Sequence, residues 1–305
     1  MLVSKCPEPV QLTHNVTLGD ACGPVARRAA VHDKVLIVGE EYEAEPRAEL
    51  YRRLGVDVVV YPLGAGKAPT LVSLLRLLSD LLPSPHEKLL IEGFGGEGVV
   101  AAALLMIVDG VSAREAASRV LSLGHGLTTP LESRLLYILE KVLETSPGGA
   151  RQLFEVVKRG YERGFTHGDA HASSVAELAV EVNDALSRLG YFTGLTPYTL
   201  FQSALLEPDE PRDPVHAIAS ALDSTLVGAV KTVAFIREGN KLEVLVGCET
   251  LMHREQCWPE VEAARQRIEA IAKKAGFRSV TYIMAPPEEV ACILYRDVDR
   301  GLCEE

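Results

Sequence analysis

The chain has 305 residues, a formal net charge of −11, 47% hydrophobic and 24% charged residues. This is an ordinary globular composition with length for about two domains. The acidic balance argues against a general nucleic-acid binder, which needs a basic surface to displace counterions from phosphates. No apolar run reaches about 18 residues, so no membrane span is expected. The opening "MLVSKCPEPVQL" lacks the apolar centre of a secretory signal. A cytoplasmic protein is the expectation.

In chain order, "VLIVG" (35–39) reads as a buried strand and "AEPRAELYRRLG" (44–55) as a helix stopped by Gly55. "VDVVVYPL" (56–63) is a second β-branched run, followed by the loop "GAGKAP" (64–69). "TLVSLLRLLSDLL" (70–82) is amphipathic, and "KLLIEG" (88–93) is a third strand. "EGVVAAALLMIVDG" (97–110) is a helix so apolar that it must be buried. Ser112 and Glu115 form a capping box for the helix at 112–124, and another helix covers 130–145. Strands alternating with helices imply a mostly parallel sheet covered on both faces. The first domain is therefore placed at 1–146.

Helical periodicity continues at 150–164, 173–190 and 196–206, so a helical segment is placed at 147–210. "EPDEPRDP" (207–214) reads as an exposed linker. A small α+β domain is placed at 211–305: two strands within 225–249 around the turn "EGN", a helix at 258–276, and strands at 279–285 and 290–298.

The stretch "LLIEGFGGEGVVAAALLM" (89–106) has the layout of a phosphate-cradling loop: strand, glycine-rich turn, helix N-terminus. Yet it carries Glu92 and Glu97 and no Lys, Arg, Ser, Thr or Cys. Together with "LYRRLGVDVVVYPLGAGKAPTLVSLLRLLSDLL" (50–82) and "VDGVSAREAASRVLSLG" (108–124), it resembles the dual-specificity branch of the cysteine-dependent protein tyrosine phosphatases. The resemblance covers about residues 55–145 and implies that family's fold. It also implies a signature, Cys-x5-Arg followed by Ser or Thr, with a general-acid aspartate on an earlier loop. Laid on this sequence, Glu92 stands at the nucleophile position, Gly98 at the arginine and Val99 at the hydroxyl. Ala65 stands at the acid. No Cys lies between Cys22 and Cys248, and no Asp lies in 58–79. A carboxylate repels a dianionic phosphate, and each missing electrostatic stabiliser typically costs about 10²–10³ in rate. Phosphatase activity is not expected.

Three uses of the loop remain at this level. It can simply join a strand to a helix. Glu97 can fill the ring of backbone N–H groups as an internal anion. Or the loop is a ligand-binding pocket of Glu92, Gly93, Phe94, Gly95, Gly96, Glu97 and Gly98, in which Glu92 and Glu97 coordinate a cation or a cationic ligand and Lys67 lies near enough to touch Glu92 or Glu97.

Other groups have both a chemical and a plainer role open to them. His167, Asp169 and His171 suit a metal or a capped turn. Cys248, His253 and Cys257 suit zinc, a disulfide or buried thiols. His125 suits a helix C-terminal turn. No metal ligand or cofactor is assigned. Only three Asn and five Gln hint at a thermophile, in which cytosolic disulfides among the six cysteines are tolerated.

The expectation is a catalytically inactive phosphatase-like protein that binds a small molecule or a protein. The alternative is an enzyme of another class, a metal-dependent hydrolase or an atypical phosphatase, working between domains or at the Glu loop. Sheet edges of the C-terminal domain also allow a homo-oligomer.

Overall fold

The computed structural model describes residues 6–64, 66–82, 86–163, 169–191, 194–206, 214–222, 230–248 and 254–303. They form two compact units, the first of 1–69, 77–136 and 297–305, the second of 70–76 and 137–296. The helices read at 147–210 thus share a unit with the C-terminal strands.

The first unit holds a sheet in the order β1 (Val10–Thr13), β2 (Val16–Asp20), β5 (Leu89–Gly93), β3 (Lys34–Gly39), β4 (Asp57–Pro62). All neighbours are parallel except β1 and β2. β3 and β5 are central, and every residue of β5 is buried. That explains their unbroken apolar runs, since a parallel strand covered on both faces has no side for polar residues. β1 and β2 carry little signal in the sequence: they are short, and threonines, Gln11 and Asp20 break their apolar pattern. The short helix α1 (Val25–Ala29) was also missed.

Helix α2 (Glu41–Arg53) lays Ala44, Ala48 and Tyr51 on Val35 and Ile37 of β3 and Leu90 of β5. It ends where expected, with Gly55 at φ +80°. Next come α3 (Leu71–Leu81), α4 (Glu97–Asp109), α5 (Ala113–Ser122) and α6 (Pro130–Thr145). Helix α4 is buried on every side from Gly98 to Met106, as its composition required. The Ser112 side chain accepts the Glu115 N–H at the start of α5, one half of the expected box.

The second unit contains α7 (Gly149–Arg163), α8 (Asp169–Arg188), α9 (Pro197–Leu206) and α10 (Pro214–Leu222). It continues with β6 (Val230–Glu238), β7 (Lys241–Cys248), α11 (Arg254–Lys274), β8 (Ser279–Ala285) and α12 (Pro287–Tyr295). β6 and β7 pair antiparallel, while β7 and β8 pair parallel through the α11 crossover. The strand expected at 290–298 is instead helix α12. A short apolar run is ambiguous between strand and buried helix. Pro287 in the first turn, followed by Glu288 and Glu289, decides for the helix. Residues 207–213 of the expected linker lie outside the described residues.

Buried Glu181 of α8 ties this unit together. It accepts from the Thr232 hydroxyl and the Val233 N–H of β6 and from the Tyr295 hydroxyl of α12. Such multiple donation is how a carboxylate is accommodated away from water. Disulfides join Cys6 to Cys22 and Cys248 to Cys257, and no cysteine is free. Among the described residues, no helix is long and apolar enough to cross a membrane.

Candidate functional site

The glycine loop leaves the C-terminal end of β5 between β2 and β3. Gly93 is in register with Asp20 on one side and Val38 on the other. The Ala21 N–H donates to the Gly93 carbonyl at 3.0 Å, and the Phe94 N–H to the Val38 carbonyl at 2.9 Å. This edge, beyond the carboxyl ends of parallel strands, is where open α/β sheets place their ligands. Gly95 and Gly96 have φ of +135° and +83°, a conformation that turns the chain into α4 and that few other residues tolerate.

The loop then closes on itself. Glu97, the first residue of α4, folds its carboxylate back so that Oε2 accepts the Gly95 N–H at 3.1 Å. A Cβ added at Gly93 would lie 1.8 Å from that oxygen. The chain's own carboxylate therefore occupies the cradle, and a side chain at 93 would require Glu97 to move. Leu63 lies against Gly96, where a Cβ would meet it at 2.6 Å. Of the three uses considered for the loop, Glu97 as internal anion matches this geometry.

Glu92 is somewhere else. Alternate strand residues face opposite sides, and its fully buried carboxylate turns away from the cradle. It is held by the guanidinium of Arg28, by Arg47 through Nε and Nη2, and by the Tyr51 hydroxyl at 2.8 Å. Burial first, then the Glu92 charge, pushes the Tyr51 phenol up. The placement of Glu92 at the nucleophile position is thus corrected. The position whose side chain would face the cradle is Gly93, and the same spacing then sets Val99 and Val100 at the arginine and hydroxyl positions. Neither frame places a Cys, Arg, Ser or Thr at these positions.

The other loop residues divide as follows. Phe94 is partly exposed and packs over Gly39. Gly98 is wedged against the next loop, where a Cβ would meet the Gly126 carbonyl oxygen at 2.5 Å. Lys67 does not reach Glu92 or Glu97 but pairs loosely with Glu40 at 3.7 Å, both exposed. Ala65, at the expected acid position, lies outside the described residues.

The loop's partner is His125. It follows α5 in a helix C-terminal turn as expected, its N–H donating to the Val120 carbonyl. Its Nδ1 lies 3.1 Å from Glu97 Oε1 and 3.8 Å from Asp20 Oδ1. The ligand atoms of these three residues all lie within 4.8 Å of one another. Sequence reasoning missed this grouping because no short spacing joins positions 20, 97 and 125. The signal present was only that each ends or begins an element.

Burial pushes the Glu97 carboxyl up, but the hydrogen bond from His125 and the backbone N–H donors together hold it below its usual range. The same bond, working against burial, raises the His125 imidazole, helped by the Asp20 charge. The raised His125 value contributes stability below about 6.5 that is lost as pH rises through its folded pKa. The lowered Glu97 value contributes stability above about 4.3 that is lost as pH falls through its folded pKa. Stabilisation by the pair is therefore greatest between roughly pH 4.3 and 6.5. In chelator-treated protein, the NMR titration of His125 should lie above the ordinary value, and Glu97→Gln should lower it. An unchanged titration in Glu97→Gln would contradict the pairing.

Elsewhere, Asp169 opens α8 and accepts from the Tyr161 hydroxyl at 2.8 Å. His167 lies outside the described residues. Cys248 and Cys257 are joined as a disulfide, which removes them as zinc ligands, and His253 also lies outside.

No protein-family model and no curated protein matches the sequence. Among solved structures, the chain is similar to Tk-PTP in its active form, with 26% identity and a TM-score of 0.41 over 44% of this chain and 97% of that one. A mutant form of Tk-PTP gives 25% identity and a TM-score of 0.42 over 46% and 99%. Kinase associated phosphatase, with its catalytic-site cysteine substituted by serine, gives 17% identity and a TM-score of 0.38 over 43% and 88%. Each of these matches spans less than half of this chain.

Proposed function

We propose that this is a phosphatase-like protein without cysteine-phosphatase activity, whose glycine loop has become a binding site for a cation or for a partner's cationic group. One observation carries the reading: the Glu97 carboxylate sits in the backbone cradle, within hydrogen-bond reach of Gly95 N and His125. A second anion brought to the same N–H groups would meet that carboxylate at contact distance, where repulsion in a partly buried site is several kcal/mol on the order of the 4 Å estimate at intermediate dielectric. No nucleophile offsets this. No Cys lies between Cys22 and Cys248 in the sequence, and both register frames put Glu or Gly where the thiolate would be.

The expected result is no hydrolysis of an aryl phosphate above the uncatalysed rate, and no phosphate-dependent shift of the Gly95 amide in NMR spectra. Hydrolysis that disappears in Glu97→Gln would overturn the proposal. So would saturable phosphate binding at Gly95. Gly93→Cys is not expected to create activity, because the added side chain collides with Glu97 and no arginine faces it.

A further inference from the structure

We infer that Asp20, Glu97 and His125 form a site for one divalent transition-metal ion of the zinc type. The inference rests on the reading of the loop as filled by Glu97, and it names the cation which that loop accepts.

Geometry is the first support. Asp20 ends β2, Glu97 begins α4 and His125 follows α5, so three separate elements converge. With metal–ligand bonds of about 2.0–2.2 Å at tetrahedral angles, donor atoms stand about 3.3–3.6 Å apart. The separations of 3.1 Å for His125–Glu97 and 3.8 Å for His125–Asp20 bracket that value. The third pair of donors, on Asp20 and Glu97, lies within 4.8 Å.

Preorganisation is the second. The His125 backbone is held by its bond to Val120 and by Gly98, whose Cα face abuts the carbonyls of 125 and 126. The following turn is pinned by buried Glu132, which accepts from the Thr128 hydroxyl and the Thr129 N–H. Glu97 spends Oε2 on the Gly95 N–H and turns Oε1 toward His125. Sites fixed by their neighbours before the ion arrives are the ones that bind tightly.

Charge and chemistry are the third. Two carboxylates and one imidazole gather here, while Arg28 and Arg47 are committed to Glu92. Among the described ion pairs, His125 is the cationic partner of both Asp20 and Glu97, and an ion bound at its Nδ1 would displace the proton that makes those pairs. One imidazole and two carboxylates favour zinc, cobalt or manganese over magnesium or calcium, which take all-oxygen shells. His125 and Glu97 are 8% and 12% exposed, whereas Asp20 is 46% exposed, so the group opens to solvent on the Asp20 side. That leaves a fourth position for water.

The test uses the full chain, stripped with chelator and then equilibrated with Zn²⁺, Co²⁺ or Mg²⁺ in separate dialysis cells. The expected result is one Zn²⁺ per chain, held at least tenfold more tightly than Mg²⁺, and visible Co²⁺ absorption bands typical of nitrogen and oxygen ligands. His125→Ala should abolish both. Asp20→Asn, at a half-exposed position, should keep the melting temperature in chelator while loosening Zn²⁺ at least about tenfold, the least that loss of even a supporting group costs. Absence of stoichiometric Zn²⁺ binding by the unaltered chain would overturn the inference. Binding unchanged in both variants would do the same, and so would Mg²⁺ held as well as Zn²⁺. Inorganic phosphate is run in a parallel cell. A chain that takes neither Zn²⁺ nor phosphate sinks the metal site and leaves the filled loop standing. A chain that takes phosphate at the loop sinks both.

Discussion

Glu92→Ala is expected to destabilise the protein by about 3–5 kcal/mol, the range for breaking a buried ion pair by removing one partner. The Glu92 carboxylate has no exposed surface, and the side chains of Arg28 and Arg47 are 6% and 12% exposed. Removing it strands two guanidinium groups in a space built for their counterion. Arg28 also donates to the Asp20 carbonyl, and Arg47 to the carbonyls of Cys22 and Gly23. The loss would therefore loosen the segment that follows β2. Desolvation works against the pair even in the native state, so replacing all three charged residues with Met should recover much of the loss. The check is the urea midpoint of unfolding by circular dichroism for both variants. A Glu92→Ala midpoint equal to that of the unaltered chain would show that the arginines reach water.

Gly98→Ala should be destabilising as well, against the ordinary expectation for a helix. Alanine is favoured over glycine inside a helix by about 1 kcal/mol. Here the new Cβ would sit 2.5 Å from the Gly126 carbonyl oxygen and 2.9 Å from that of His125. Both are backbone atoms, so relief requires the whole 125–126 turn to move. Overpacking of this kind costs about 1–3 kcal/mol, which exceeds the propensity gain at most of its range. The turn carries His125, so the variant should also separate His125 from Glu97 and return the His125 titration toward its ordinary value. A more stable Gly98→Ala protein with an unchanged His125 titration would show that α4 and the turn are not in the contact described.

Much of the fold could be read from local pattern. The apolar runs of β3 and β5 announced strands of a mostly parallel sheet, though not their central place in it. The all-round apolar α4 announced a buried helix, and Gly55, Ser112 and Glu115 marked helix ends where they occur. These signals are local because backbone propensity and capping act over a few residues. β1, β2 and α12 escaped because a short run owes its state to its neighbours. β2 is a strand by pairing with β5, more than 70 positions away in the chain on the register of Val16 with Leu89.

The sequence by itself determined that a glycine-rich turn joins a buried strand to a buried helix, and that this turn lacks a thiol, an arginine and a hydroxyl. It also limited the carboxylates available there to Glu92 and Glu97. Only the tertiary structure decided what those carboxylates do. One residue's difference in strand phase sends Glu92 into the Arg28–Arg47–Tyr51 cluster. The turn into α4 sends Glu97 back into the cradle to meet His125 and Asp20. The physical reason is that a side chain's direction follows from the local backbone, whereas its partner comes from wherever the sheet and helices bring other parts of the chain together.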